Sequence, residues 1–150
     1  MRFGYGSLIL YYGTKDRKGQ TMGLDQYAYA RPIGTPSNGG ENNEELTYWC
    51  KHNRLHGWME RLYVKRGNEL GQEAFGNDFN CIELELTESD IEQLEAHIQG
   101  KSLPATGGFF FGDDSYEDYE EYRKENDLDF ITNARKAFSE GKKVYYNSWW

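Results

Sequence analysis

The chain has 150 residues, a formal net charge of -8 and a mean hydropathy of -0.90. A chain this acidic is poorly suited to non-specific contact with nucleic acid phosphates, and none of its apolar runs is long enough to cross a membrane. Aromatic residues make up 16% of the sequence, so we expect a core built from rings more than from aliphatic side chains. The two cysteines and three histidines lack metal-ligand spacing, so we expect free thiols in a reducing cytoplasm, no metal site and no cofactor.

The first 21 residues differ in charge from the rest, because they carry four basic side chains and one acidic side chain. We interpret residues 1–21 either as an edge hairpin or as a translated leader before a start at Met22. Residues 22–150 are then a single α+β domain. From Met22 to Ala30 the side chains alternate in the manner of a β-strand. Residues 31–45 contain turn formers and almost no apolar side chains, which predicts a surface loop.

Residues 48–63 are the most chemically diverse segment, with rings, histidines, a thiol and cations together. A helix from about Lys51 would carry an apolar stripe of Leu55, Trp58, Met59 and Leu62. Asn53 and His56 border that stripe, which predicts a half-buried imidazole beside an amide. His56 is therefore either a ligand-binding or acid–base group, or a histidine that bonds a carbonyl and orders the helix.

A second strand and a capped helix follow. Residues 79–86 alternate in polarity and predict a strand. The side chains expected to face the core are Ile82, Leu84 and Leu86. Thr87 predicts the N-cap of the next helix, because a threonine oxygen there accepts from a free backbone N–H. We expect that helix to end at Gly100, with His97 solvated.

The last third of the chain adds a run of three phenylalanines and a long acidic segment. Residues 109–111 predict a strand covered on both faces, which is either a pocket wall or a central core strand. Residues 113–129 predict a surface helix without a bound metal, with a break near Asn126 and Asp127. Residues 144–150 predict a strand docked in the core. The order of elements predicts an α+β fold, a single sheet of about four to five strands with three or so helices packed on it.

Several motifs together resemble a family of small bacteriophage and prophage proteins. Its members often begin MGLD and carry YWRK-x-N-x-IH-x-W, GFFFG and a YxSSW end, and the resemblance spans nearly all of residues 22–150. The corresponding motifs here are Met22-Gly23-Leu24-Asp25, Tyr48-Trp49-Cys50-Lys51 with Asn53, His56 and Trp58, Gly108-Phe109-Phe110-Phe111-Gly112, and Tyr145 to Trp149. The resemblance implies the cytoplasm of an infected or lysogenic bacterial host. Some members are labelled phosphoglycerate kinase, but this chain is too short for that enzyme and lacks its nucleotide-binding glycine pattern.

One position departs from the family pattern. Cys50 stands where the family has the arginine of YWRK. If that arginine holds an anion in the relatives, this chain lacks the contact unless Arg54 replaces it one turn later.

Three hypotheses on function follow from the residues and the resemblance. The first is an accessory protein that binds or sequesters a small molecule, such as a nucleotide, in an aromatic-lined polar cleft. The second is a small enzyme with His56 as general acid or base, and the third is an acidic protein that binds a host protein. The residues expected to line the cleft are Tyr48, Trp49, Lys51, Asn53, His56, Trp58, Phe109, Phe110, Phe111, Tyr119, Tyr146, Ser148 and Trp149.

Overall fold

A computed structural model describes residues 23–37, 40–69, 79–104, 119–120 and 123–150. In these ranges one sheet of four antiparallel strands carries three helices, which confirms the predicted α+β fold. The elements in chain order are β1 (Asp25–Pro32), β2 (Glu44–Cys50), α1 (Asn53–Glu69), β3 (Leu84–Leu86), α2 (Glu88–Gln99), α3 (Lys124–Ser139) and β4 (Lys142–Trp149). The predictions for residues 1–22, 109–111 and 113–118 lie outside the described residues.

The sheet has the strand order β2-β1-β4-β3. Strand β1 pairs with both neighbours along most of its length, so that Gln26 lies opposite Trp49 on one side and Ser148 on the other. The predicted terminal strand is confirmed as β4, an inner strand of this sheet. Its residues Val144, Tyr146 and Ser148 are buried, so β4 forms part of the core, as the sequence predicts.

The two faces of the sheet have different chemistry. Ala28, Ala30 and Tyr146 belong to the main core, together with the buried side chains of all three helices. On the opposite face Tyr27 and Tyr29 are buried in a tyrosine cluster with the partly buried Tyr48 and Tyr145. This cluster is called the tyrosine layer below. The sheet separates its four side chains from the polar groups under the helices.

The region around β2 corrects two predictions. Strand β1 continues to Pro32 and β2 starts at Glu44, so residues 31–45 are not one surface loop but a turn between two strand ends. Trp49 is a strand residue, because pairing with Gln26 fixes its backbone. The helix begins at Asn53 instead of Lys51, whose left-handed backbone (φ 56°) separates strand from helix.

Strand β3 is shorter than predicted. It covers Leu84–Leu86, whereas the alternation in the sequence starts at residue 79. Cys81 adopts a left-handed backbone (φ 63°), which interrupts an extended chain before the strand. Phe79 is nevertheless buried, and Leu84 and Leu86 face the core as predicted.

Helix α2 agrees with its sequence signals. The Thr87 hydroxyl accepts from the Asp90 N–H at 3.2 Å, and the Asp90 carboxylate accepts from the Thr87 N–H at 2.8 Å, which completes a capping box. The buried stripe consists of Ile91, Leu94 and Ile98. Gly100 caps the C-terminal end, so both predicted ends of this helix are confirmed.

Replacing Thr87 with alanine should lower the free energy of unfolding by about 1 kcal/mol, because the Asp90 N–H loses its acceptor. Urea unfolding followed by circular dichroism measures the loss. Ser89→Ala is the matched control, since Ser89 is exposed in the same turn and its hydroxyl accepts from the Gln93 side chain. The control should change stability by less than about 0.5 kcal/mol, and an equal loss in both variants would contradict the capping role.

Tyr119 and Glu120 are helical, Arg123 is a turn residue and helix α3 runs from Lys124 to Ser139, so the chain is interrupted about three residues before the break predicted near Asn126 and Asp127. Asp127 lies on the inner side of the helix with only 1% of its surface exposed. The described part of the segment 113–129 is therefore not purely solvated, because Tyr119 and Asp127 are both buried. Because this carboxylate is buried, the acidic surface that a host protein could bind carries less negative charge than the sequence suggests.

Candidate functional site

Asp127 is the centre of a buried polar cluster under the helices. Its carboxylate accepts from the Trp49 indole N–H at 2.8 Å, from His52 Nε2 at 2.8 Å and from the Tyr119 hydroxyl at 2.7 Å. The Asp127 and His52 side chains are each 1% exposed. The four residues, called the Asp127 cluster below, join β2, the start of α1 and α3.

His52 also caps helix α1. Its carbonyl accepts from the His56 N–H at 3.1 Å, and its Nδ1 accepts from the Leu55 N–H at 3.4 Å. Because Nδ1 acts as an acceptor, the ring proton lies on Nε2, from which it is donated to Asp127. The geometry therefore explains His52 as a residue that orients the first turn of α1.

Gln26 connects this turn to the centre of the sheet. Its Oε1 accepts from the His52 N–H at 2.8 Å, which fixes the orientation of the amide. Its Nε2 then donates to the His52 carbonyl at 3.2 Å and to the Tyr146 hydroxyl at 2.9 Å. Gln26 is fully buried, so both ends of its amide serve to hold other polar groups in place.

The hydroxyl of Tyr146 links Gln26 to His56. Its oxygen accepts from Gln26 Nε2 at 2.9 Å, and it forms a hydrogen bond of 3.1 Å with His56 Nδ1. Burial lowers the pKa of His56 from 6.5 to about 4, and it raises the pKa of Tyr146. At neutral pH His56 is therefore an uncharged imidazole.

Aromatic rings surround this imidazole. The Trp150 ring meets it edge-on at a centroid distance of 4.7 Å, and the Phe79 ring lies 5.4 Å away. Tyr63 stacks on Phe79 at 5.0 Å. The Asn80 side chain holds the backbone of Trp150 through two bonds of 3.0 and 2.9 Å, so the rings are fixed around His56.

Glu60 lies one helical turn after His56 in α1. It is partly buried, and burial raises the pKa of its carboxyl group. The carboxylate also contributes to the raised pKa of Tyr146 through charge. The group that we call the His56 site consists of Gln26, His56, Glu60, Phe79, Tyr146, Ser148 and Trp150.

The structure brings several of the predicted site residues to the helix-covered face of the sheet. Tyr119 and Trp49 belong to the Asp127 cluster, whereas His56, Tyr146 and Ser148 belong to the His56 site. Asn53 is buried as the first residue of α1. Asn53 and His56 are each only 2% exposed, so they are more deeply buried than the half-buried edge predicted.

Other predicted residues lie elsewhere. Tyr48 belongs to the tyrosine layer, where its hydroxyl donates to Asp25 at 2.6 Å. Trp149 alternates with the buried Ser148 along β4 and pairs with Asp25. Lys51 is exposed at the turn before α1.

Trp58 contacts a different histidine. Its indole N–H donates to His97 Nδ1 at 2.8 Å. His97 is therefore a partly buried acceptor in a side-chain pair, which corrects the prediction that it is solvated. Residues 109–111 lie outside the described residues, so their place relative to the site stays a prediction.

Three polar residues that organise the site have no functional role in the sequence interpretation: Gln26, His52 and Asp127. His52 stands four residues before His56 in the most diverse segment, which is a usable signal. Gln26 and Asp127 have no such local signal, because their partners are distant along the chain.

Within the described ranges, no group of three or more His, Cys, Asp or Glu side chains could hold a metal ion. None of the helices described is long and apolar enough to cross a membrane. In comparisons with known proteins, no family model, no curated protein and no solved structure matches this chain.

Proposed function

We propose that this protein binds a small planar molecule at the His56 site. The observation that carries the proposal is the buried hydrogen-bond chain from Gln26 through Tyr146 to a neutral His56 that is bordered by aromatic rings. Aromatic walls with a few convergent polar groups are typical of sites for small ligands. The chain of hydrogen bonds fixes the orientation of the imidazole ring, and a polar group in a fixed orientation is a means of selecting a ligand.

The charge of the site indicates which part of a ligand would lie there. A neutral imidazole cannot attract a phosphate by charge, and Glu60 would repel one. Rings of Phe79 and Trp150 instead favour stacking or edge contact with another flat ring. For a nucleotide, we therefore infer that the base, and not the phosphate, contacts His56.

The resemblance to bacteriophage and prophage proteins extends this proposal to a biological role. In that setting, the protein would sequester a small host molecule or a signalling molecule of the bacterial host. Binding without chemistry is enough for this role, because removal of a free molecule lowers its concentration by mass action.

We expect protein purified from a bacterial host to retain a small molecule that native mass spectrometry detects. His56→Asn should abolish retention, because the asparagine amide can bond Tyr146 in place of Nδ1 but is too short to reach the position of Nε2 and offers no ring to a flat ligand. Nucleobases and nucleosides added to the purified protein should raise its melting temperature in the wild type and not in the variant.

The matched control is His97→Asn, in which the asparagine oxygen can still accept from Trp58. This variant should bind as the wild type does. Equal retention by His56→Asn and the wild type would contradict the proposal, and so would a wild-type protein that retains no molecule and responds to none of the added bases.

Catalysis is the second candidate, and the hydrogen bond from Tyr146 to His56 favours it. A neutral histidine with a low pKa that is linked to a buried hydroxyl can accept and return a proton. The same mass spectrometry separates the two candidates. An enzyme would convert the retained or added molecule to a product of different mass, whereas a binding protein would release it unchanged.

A further inference from the structure

A groove lies between helices α2 and α3 and has a volume of about 280 Å³. Each helix contributes residues at positions i, i+3 and i+4, which share one face of a helix. The six residues that line the groove are Glu88, Ile91, Glu92, Arg135, Phe138 and Ser139. None of them belongs to the His56 site, so the groove, called the helix groove below, is a separate feature of the surface.

The floor of the helix groove is apolar. Ile91 is only 1% exposed, and Phe138 is partly buried against the main core. The exposed Arg135 forms an ion pair of 2.7 Å with Glu95 of α2. The one guanidinium in the lining therefore already has a carboxylate partner.

Two carboxylates in the wall of the groove have no such partner. Glu88 and Glu92 are exposed and lie one turn apart in α2, with about 5–6 Å between their Cβ atoms. Within the part of the chain that the structure describes, neither carboxylate forms a hydrogen bond or an ion pair. Arg135 acts on Glu92 only through charge at longer range. With Glu95 included, three carboxylates face one guanidinium, which leaves an excess of two negative charges.

The hydroxyl of Ser139 adds an acceptor on the wall formed by α3. It donates its single hydrogen to the Lys136 carbonyl at 2.7 Å, so its oxygen can only accept from a ligand. Ser139 is also the last residue of α3, where the helix dipole places partial negative charge. Apart from the paired Arg135, the side chains of the groove thus offer anions and an acceptor above an apolar floor.

We propose that the helix groove binds a short aliphatic diamine in its diammonium form. Its two ammonium groups match the charges of Glu88 and Glu92, and the methylene chain between them covers Ile91 and Phe138. An ammonium beside the Phe138 ring also gains a cation–π contact. The volume restricts the ligand to a small molecule, because pockets for drug-sized ligands start at about 300 Å³.

Putrescine is the probe for this proposal. When it is added to the isotopically labelled full chain at low ionic strength, amide signals of residues 88–92 and 135–139 should shift in NMR spectra and saturate. Butylamine has one ammonium on the same chain and should bind about fivefold more weakly, because one exposed ion pair is lost. Butanediol, which carries no charge, should cause no shift.

Magnesium ions separate a diamine site from simple attraction of cations. A metal ion can bind carboxylates but gains nothing from the apolar floor, so it should not displace putrescine at equal concentration. Displacement by magnesium, or equal binding of putrescine and butylamine, would overturn the proposal without any variant.

Glu88→Gln combined with Glu92→Gln should weaken putrescine binding about tenfold. Glutamine keeps the shape of glutamate and no hydrogen bond is lost, so the fold should be unchanged. The matched control is Glu125→Gln with Asp129→Asn, which removes the same charge from another exposed i, i+4 pair that does not line the groove. The control should bind as the wild type does, and an equal loss in both variants would show that overall charge alone attracts putrescine.

Discussion

Replacing Asp127 with asparagine should lower the free energy of unfolding by about 3 kcal/mol or more. The carboxylate accepts from Trp49, His52 and Tyr119 in a region that water does not reach. An asparagine of the same shape offers one oxygen, and its amide nitrogen can take the place of the Asp127 oxygen that accepts from both His52 and Tyr119. A buried donor left without an acceptor costs about 1–3 kcal/mol, so two affected donors account for the expected loss.

Urea unfolding of both variants measures this effect. Asp129→Asn is the matched control, because Asp129 is exposed two residues further along the same helix. A surface change of this kind should stay within about 0.5 kcal/mol of the wild type. Equal stability of Asp127→Asn and the control would show that the Asp127 cluster contributes nothing to the fold.

Elements whose signals are local were predictable from the sequence. Thr87 and Gly100 mark the ends of α2, since capping depends on neighbours within one turn. The β-rich composition of residues 144–150 predicted strand β4, because Val, Tyr and Trp favour strands, and Val144 and Tyr146 are buried in the core. In these cases the periodicity of the side chains and the geometry of the backbone give the same result.

Strand β2 could not be predicted in the same way. Its start at Glu44 follows a run of Gly, Asn and Glu residues that is typical of a loop. Pairing with β1 decides the conformation there, and such pairing depends on residues about twenty positions away. The local helical pattern likewise extended back to Lys51, where a left-handed backbone ends it.

The candidate site shows the same limit. His56 was identifiable from its place beside the apolar stripe of α1. Its hydrogen-bond partner Tyr146 is 90 residues away in the chain, and Gln26 is 120 residues from Tyr146. No short motif relates positions so far apart, so the hydrogen-bond chain that orients the His56 ring was not predictable without the fold.

Gln26 joins the Asp127 cluster to the His56 site. It bonds the backbone of His52, whose ring belongs to the cluster, and the hydroxyl of Tyr146, which bonds His56. His52 also holds the first turn of α1. The position of His56 thus depends on the same turn that the Asp127 cluster orients, which links the stability of the fold to the geometry of the site.

The free energy of unfolding should fall by about 3 kcal/mol between about pH 6.5 and about pH 4 through His56 alone. In the folded protein burial lowers the pKa of His56 to about 4, from an ordinary value of 6.5. Below pH 6.5 the unfolded chain therefore takes up a proton that the folded protein does not. Acidification favours the unfolded chain until the folded imidazole is also protonated, near pH 4, and above about pH 6.5 this contribution is constant.

Comparison with His56→Asn isolates this contribution, because asparagine does not titrate and the carboxyl groups are the same in both proteins. The difference in unfolding free energy between the wild type and the variant, measured in urea from pH 8 to 4, should shift by about 3 kcal/mol in favour of the variant. If the difference in unfolding free energy between the wild type and His56→Asn does not change with pH, His56 keeps its ordinary pKa. The proposal that the binding site contains an imidazole with a lowered pKa would then be wrong.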